Sequence, residues 1–297
     1  MENLKLKIDK TKCIHCGLCI KDCSCNVLEF DAEKFPKISI NGETRCMKCQ
    51  HCLAVCPTGA LSILGKNPEN SEKIEINHNP DNILNLIQSR RSIRQFKKEN
   101  VDKKIIKKLQ NMLKWVPTGC NDHRLVFTFI DNIDAIERFK NVTYKKLKEI
   151  YAQKPFPKEA SKLLRLKDAI EAGKDPVFRN APHMVIVSSP TDAPCASIDP
   201  IIALSYFELY AQSLNIGTLW CGLAFYCIEL SGELVKELNI PDNYKPKYCM
   251  LFGYPDVTYK RCIQPDDYKI YTYDKFWIKI TSFAKKIKNK IMNFVKK

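Results

Sequence analysis

The stretch CIHCGLCIKDC, residues 13–23, places four thiols at spacings of three, three and four. A second run, CMKCQHCLAVCP, repeats those spacings at Cys46, Cys49, Cys52 and Cys56 and ends in Pro57. Nine of the fifteen cysteines in the 297-residue chain lie before residue 57. The other six, Cys120, Cys195, Cys221, Cys227, Cys249 and Cys262, are scattered singly. Where thiols are kept reduced, clustered cysteines with short regular gaps read as metal ligands and scattered ones as buried structural residues.

A tight loop of this spacing turns three thiolates onto one cluster and carries the fourth away to another. The runs therefore read as two interleaved [4Fe–4S] sites, one from Cys13, Cys16, Cys19 and Cys56 and the other from Cys46, Cys49, Cys52 and Cys23. Zinc also accepts thiolates at CxxC spacing, but a zinc ribbon needs only two CxxC pairs, so two complete runs favour iron and sulfide. Over about residues 1–64 the chain resembles a bacterial two-cluster ferredoxin, with short strands expected near residues 4–8, 27–30 and 61–64. The first run departs from that pattern, since Ser24 and Cys25 follow it where the second run has proline. Cys25 is read as a small buried side chain ahead of a replacement ligand or redox-sensitive thiol. His15 and His51 are read as exposed loop positions ahead of donors to sulfur that tune potential.

The polar stretch GKNPENSEKIEINHNP, residues 65–80, reads as a linker. Beyond it, DNILNLIQSR spaces Ile83, Leu84, Leu86 and Ile87 for one face of a short helix. Four segments then stand out. RRSIR, residues 90–94, sets guanidinium forks and a hydroxyl close together, a kit suited to a phosphate monoester. VPTGCN, residues 116–121, closes an amphipathic helix whose buried face is Ile105, Ile106, Leu109 and Leu113. LNIGTLWCG, residues 214–222, ends a long apolar helix in a turn punctuated by glycine. GYPDVTYKR, residues 253–261, follows a buried strand, YCMLF. Singly, each has an ordinary explanation as solvated arginines, a turn or a helix stop.

As an ordered set they resemble the nitroreductase family of FMN enzymes over roughly residues 80–262. The resemblance implies an α+β fold, a sandwich with an antiparallel or mixed central sheet and flanking helices, behind the ferredoxin-like domain. It also implies FMN bound by the basic stretch, with Arg90 and Ser92 at the phosphate, Arg94 near the pyrimidine edge and Arg91 among the flavin-binding residues. Pro117, Thr118 and Asn121 would come across a dimer interface. Gly217, Trp220, Gly222 and Leu223 would border flavin N5 and O4, and Lys260 and Arg261 would close on the phosphate. Residues 122–125, DHRL, depart from the family pattern, Asn215 stands where glycine is common, and residues 153–180 match nothing familiar; in this family such segments cover the substrate pocket.

Iron–sulfur clusters pass single electrons whereas FMN handles one or two, so the fusion reads as an internal wire ending on a small electron-deficient acceptor. Nitro groups are the default, with activated C=C and carbon–halogen bonds in the same chemistry. Two other readings are a non-catalytic electron-transfer hub and a redox or flavin sensor. The proton-donor candidates are Cys120, His123, Tyr206 and Tyr226, with water as the alternative. The lack of a GxGxxG fingerprint favours a protein donor such as ferredoxin or flavodoxin.

The formal charge of +15 is concentrated at the end, where residues 275–297 hold eight lysines and no acid. No nucleic-acid-binding motif accompanies it. The tail spaces Phe276, Ile280, Phe283, Ile287, Ile291 and Phe294 as one amphipathic helix, expected to pack on the body or on a partner subunit ahead of lying on an anionic membrane. With no apolar run near the roughly 20 residues that span a bilayer and no signal-peptide pattern, a cytoplasmic protein is expected, and the family resemblance implies a homodimer. The domains read as residues 1–64, a linker at 65–80, a flavin domain at 81–275 and a basic helix at 276–297.

Overall fold

In the computed structural model, which describes residues 4–74 and 79–273, the repeated cysteine spacing is also a repeated backbone. The residue before the second cysteine of each run is left-handed, His15 at φ 54° and Lys48 at φ 55°. So is the residue after it, Gly17 at φ 70° and Gln50 at φ 61°. Each loop then enters a single helical turn, α1 (Leu18–Lys21) or α3 (His51–Ala54), with α2 (Gly42–Arg45) leading into the second run. Strand β1 (Lys7–Ile8) pairs with β4 (Leu61–Ser62), and β2 (Leu28–Phe30) with β3 (Pro36–Ile38), both antiparallel. Beneath the loops, Leu4, Val27, Leu28, Leu53, Leu61 and Ile63 form an apolar floor that includes Cys19.

Residues 65–74 stay tied to this module, with Lys66 bridging back to Ile63 and Glu69 accepting from Lys12 Nζ at 2.9 Å. Helix α4 (Pro80–Ser89) begins where the Asn79 side chain accepts from the Asp81 N–H. Its apolar residues Ile83, Leu84 and Ile87 are each about half exposed, at 52%, 51% and 50%.

The large sheet runs β5 (Val126–Ile130), β6 (His183–Pro190), β8 (Tyr244–Gly253) and β7 (Gly217–Trp220), antiparallel throughout. Ser92 adds a parallel bridge to Thr218 at the β7 edge, which makes the sheet mixed. Side chains alternate along each strand and both faces are apolar, so helices must cover both. Met184, Ile186, Cys249 and Leu251 face α6 (Ile133–Ala152), α7 (Lys167–Glu171), α9 (Gly222–Leu230) and α10 (Gly232–Glu237). Val185, Val187, Met250 and Phe252 face α5 (Lys103–Met112) and α8 (Asp199–Ser213). The result is the α+β sandwich read from the sequence.

Residues 153–180 form a 3-10 stretch (Lys158–Leu166) followed by α7, and they bury Leu163, Ile170, Val177 and Phe178. Asp175 anchors the segment. It accepts from the Phe178 and Asn180 N–H groups at 2.8 and 2.9 Å, from Lys140 Nζ at 2.9 Å and from the Tyr144 hydroxyl. Burial works against its charge, but these donors prevail and hold the carboxyl below its ordinary range.

The chain divides into two units, Met1–Tyr259, which contains both the cysteine module and the sheet, and Lys260–Lys297. The basic helix expected at residues 276–297 lies outside the described residues. Among those described, no helix is long and apolar enough to cross a membrane.

Candidate functional site

The cysteines fall into two sets. Cys13, Cys16, Cys19 and Cys56 line one cavity; Cys23, Cys46, Cys49 and Cys52 line another of about 380 Å³, with half-buried Cys25 beside them. Three sulfurs accept backbone N–H groups: Cys23 from Val27 at 3.4 Å, Cys46 from Lys48 at 3.4 Å and Cys56 from Ala60 at 3.2 Å. Burial pushes the Cys19 thiol up to about 11 and the Cys52 thiol up to about 12, and neighbouring cysteines add to both. For Cys56 burial also acts upward, yet the Ala60 N–H and the Thr58 hydroxyl hold it below its ordinary value. Four thiolates around one space repel one another unless cations take up their charge, so these sets suit metal clusters. Among the described residues, no group of three Cys, His, Asp or Glu suits a single metal ion. His15 Nδ1 lies 2.9 Å from the Lys34 carbonyl and His51 Nδ1 3.4 Å from Asp22, so both rings engage groups other than sulfur.

The basic stretch at residues 90–94 is laid against β7 by the Ile93 N–H, which donates to the Thr218 carbonyl at 2.8 Å. This approach requires glycine at 217, because a Cβ there would stand 2.7 Å from Ile93 Cγ1. Arg90 Nη1 donates to Glu208 Oε1 at 3.0 Å, and the Thr218 hydroxyl reaches the same oxygen at 3.4 Å. Arg91 turns back onto the Gln88 and Arg90 carbonyls at 2.7 and 2.6 Å, closing the end of α4. Arg94 is exposed and donates to the Ser92 carbonyl at 3.3 Å. Sequence reasoning missed Glu208, whose one signal is a carboxylate in the largely apolar helix α8. It aims the Arg90 fork while sitting buried behind it.

Gly222 and Leu223 open helix α9, and Trp220 precedes them 5.5 Å from the Tyr248 ring. A cleft of about 570 Å³ lies here, lined by Gly222, Leu223 and Tyr226 on one side and by Ser161, Lys162 and Arg165 on the other. Lys162 Nζ stands 5.5 Å above the Tyr226 ring. Of the proton-donor candidates, Tyr226 is the one at this cleft; Tyr206 is half exposed on α8.

Residues 117–121 go elsewhere. Pro117, Thr118, Cys120 and Asn121 line the cavity of the second cysteine set, and Asn121 Nδ2 donates to the Met47 carbonyl at 3.0 Å. Gly119 donates to Asp199 at the start of α8 at 3.0 Å. Nine residues of helix, about 13–14 Å, separate Asp199 from Glu208, so the structure divides the expected flavin residues between two ends of α8. Cys120 and His123 stay with the turn. Lys260 and Arg261 begin the second unit, and both are exposed.

A family model described as "Nitroreductase family" matches residues 87–254, and one described as "4Fe-4S dicluster domain" matches residues 12–60. No curated protein matches the chain. Among solved structures, an FMN-bound nitroreductase from Bacteroides fragilis is 19% identical with a TM-score of 0.53, the match covering 64% of this chain and 98% of that one. An FMN-bound nitroreductase from Desulfitobacterium hafniense is 23% identical with a TM-score of 0.52, covering 64% of this chain and 97% of that one. These likenesses establish the shared fold.

Proposed function

The chain belongs to the nitroreductase family, and on that premise we propose that it is an oxidoreductase carrying FMN and two [4Fe–4S] clusters, which takes electrons from a low-potential protein donor and reduces a small electron-deficient acceptor. One observation carries the reading: in a single unit, the second cysteine cavity of a dicluster module is closed by a turn of the nitroreductase-family domain. When bound, the clusters supply single electrons and FMN supplies two-electron reduction at the level of hydride.

The chain's own residues do the rest. Arg90 and Ser92 hold the phosphate, with the Arg90 fork steadied by Glu208. Arg94 and the backbone N–H groups at the start of α9 place positive potential where the reduced ring gathers negative charge, which is electrostatic stabilisation of the oxyanion-hole kind. The cleft at Gly222 admits the acceptor, and this opening favours catalysis over a sealed electron carrier. Lys162 and Arg165 favour an acceptor that carries negative charge. Tyr226 or water returns the proton.

Two further parts complete the proposal. Exposed apolar residues on α4 continue at Ile198, Ile201 and Tyr206 beside and along α8, a joined face suited to a homodimer. Eight cysteines must stay reduced to hold iron, which fits the cytoplasm.

The test is anaerobic purification with iron, sulfide and flavin quantified, followed by a screen with reduced ferredoxin that sets 4-nitrobenzoate beside nitrobenzene, an enoate and a haloaromatic. Two full clusters, bound flavin and turnover of one acceptor class are expected. A protein without flavin, or with zinc in place of iron, refutes the proposal.

A further inference from the structure

The two cysteine sets differ in what surrounds them. The cavity of the first is lined by residues between 8 and 61 alone, with Cys16 exposed and Ile14 60% exposed at its rim. That of the second is closed by Thr118, Cys120 and Asn121 of the nitroreductase-family domain. Across this seam Asn121 reaches the carbonyl of Met47, between Cys46 and Cys49, at 3.0 Å.

The residues behind Asn121 hold it firmly. Its side-chain oxygen meets His123 Nε2 at 2.8 Å, and the His123 N–H donates to the Thr118 hydroxyl at 3.0 Å. The Gly119 N–H is taken by buried Asp199, and a Cβ on Gly119 would run into Cys195 Sγ, so the turn is pressed against the start of α8. Cys120, Asn121 and His123 adopt φ of 54°, 55° and 50°, a left-handed backbone that Asn and His visit readily and that is strained at Cys120. A turn set this way acts as a fixed seat.

We propose that Asn121 is a positioning residue that seats the Met47 loop on the nitroreductase-family domain, and that the second cysteine set is the side from which electrons leave the module, the first being the side at which they enter. This rests on the function proposed above. In each passage a one-electron protein donor of the ferredoxin or flavodoxin class loses one electron at the first set, and one electron crosses at the second. Two passages and two protons from water balance a two-electron reduction of the acceptor. Because electron transfer weakens steeply with distance, an unseated loop slows the crossing without hindering entry.

The test uses the full chain, anaerobically prepared with iron, sulfide and FMN. Asn121→Asp keeps the shape and tolerates the left-handed backbone but replaces the donor with an acceptor facing the Met47 carbonyl; Asn121→Gly keeps the backbone and removes the side chain. Hydrogen–deuterium exchange is expected to rise at least tenfold over residues 44–52 and to stay unchanged over residues 11–20. With dithionite-reduced ferredoxin in stopped flow, bleaching of the clusters should keep its rate while reduction of the flavin, taken per bound flavin, slows at least tenfold. Native flavin-reduction rates in both variants, or equal exchange gains in both segments, overturn this inference and leave the proposed function standing. A native protein lacking flavin or iron overturns both.

Discussion

Gly217→Ala tests how residues 90–94 are held. The added Cβ would stand 2.7 Å from Ile93 Cγ1, 3.0 Å from its Cβ and 3.1 Å from its Cγ2. The first distance is 0.7 Å short of the 3.4 Å at which ordinary contact begins. Ile93 has little freedom to yield: it is 5% exposed and β-branched, and its N–H is bonded to Thr218, the neighbour of the substituted residue. The basic stretch must therefore shift as a whole, which stretches that bond from 2.8 Å to the limit of a hydrogen bond, about 3.5 Å. Overpacking costs about 1–3 kcal/mol and the weakened bond about 1 kcal/mol. A loss of about 2–4 kcal/mol corresponds to a fall in melting temperature of about 5–15 °C. Arg90 and Ser92 move with the stretch, so the flavin-to-protein ratio of the purified variant should fall as well. Ile93→Ala in the same chain should recover part of the loss, with a coupling of about 1–3 kcal/mol between the two sites. A Gly217→Ala protein that melts within about 2 °C of the native and keeps its flavin refutes this account of the contact.

Three further outcomes are expected. His183 is fully buried, accepts from the Val101 N–H at 2.9 Å and leaves Nδ1 without a partner among the described residues; burial lowers its pKa from 6.5 to about 4. The unfolded chain therefore takes up a proton that the folded one refuses, and as pH falls from 6.5 to about 4 up to about 3 kcal/mol of stability is lost. His183→Gln should flatten that dependence in urea titrations, and an unchanged slope would count against the argument. Cys52→Ser should lower iron from about eight to about four atoms per chain while Cys25→Ser leaves it unchanged, and iron loss on changing Cys25 would make that residue a ligand. Asp175→Ala leaves the buried ammonium of Lys140 with Glu137, at 2.7 Å, and takes the acceptor from the Phe178 and Asn180 N–H groups; it should cost about 1–3 kcal/mol, with limited proteolysis cutting first within residues 153–180. Cleavage elsewhere would mean that Asp175 is not the anchor of that segment.

Local spacing was legible wherever the chain closes on itself over a few residues. Cysteines three and four apart must share a loop, whatever the rest of the protein does, and the sequence alone paired Cys56 with the first run and Cys23 with the second. The unbroken apolar run YCMLF in β8 likewise marks a strand buried on both faces. Strand β3 was missed because it opens on Pro36, a residue depleted in strands. Glu208 was missed because a carboxylate within an apolar helix does not announce which arginine, 118 positions away, it will meet.

What the sequence determined by itself was the chemistry available: two sets of four thiols, a stretch of guanidinium groups beside a hydroxyl, and helices and strands able to bury an apolar sheet. What only the tertiary structure decided was the arrangement. It set residues 117–121 at the second cysteine set and not beside Arg90, and it brought Lys162 and Arg165 over Gly222. The physical reason is that thiol spacing is enforced by short lengths of backbone. The choice of which turn meets which loop depends on helix α8, whose rigid length of about 22 Å holds its two ends apart.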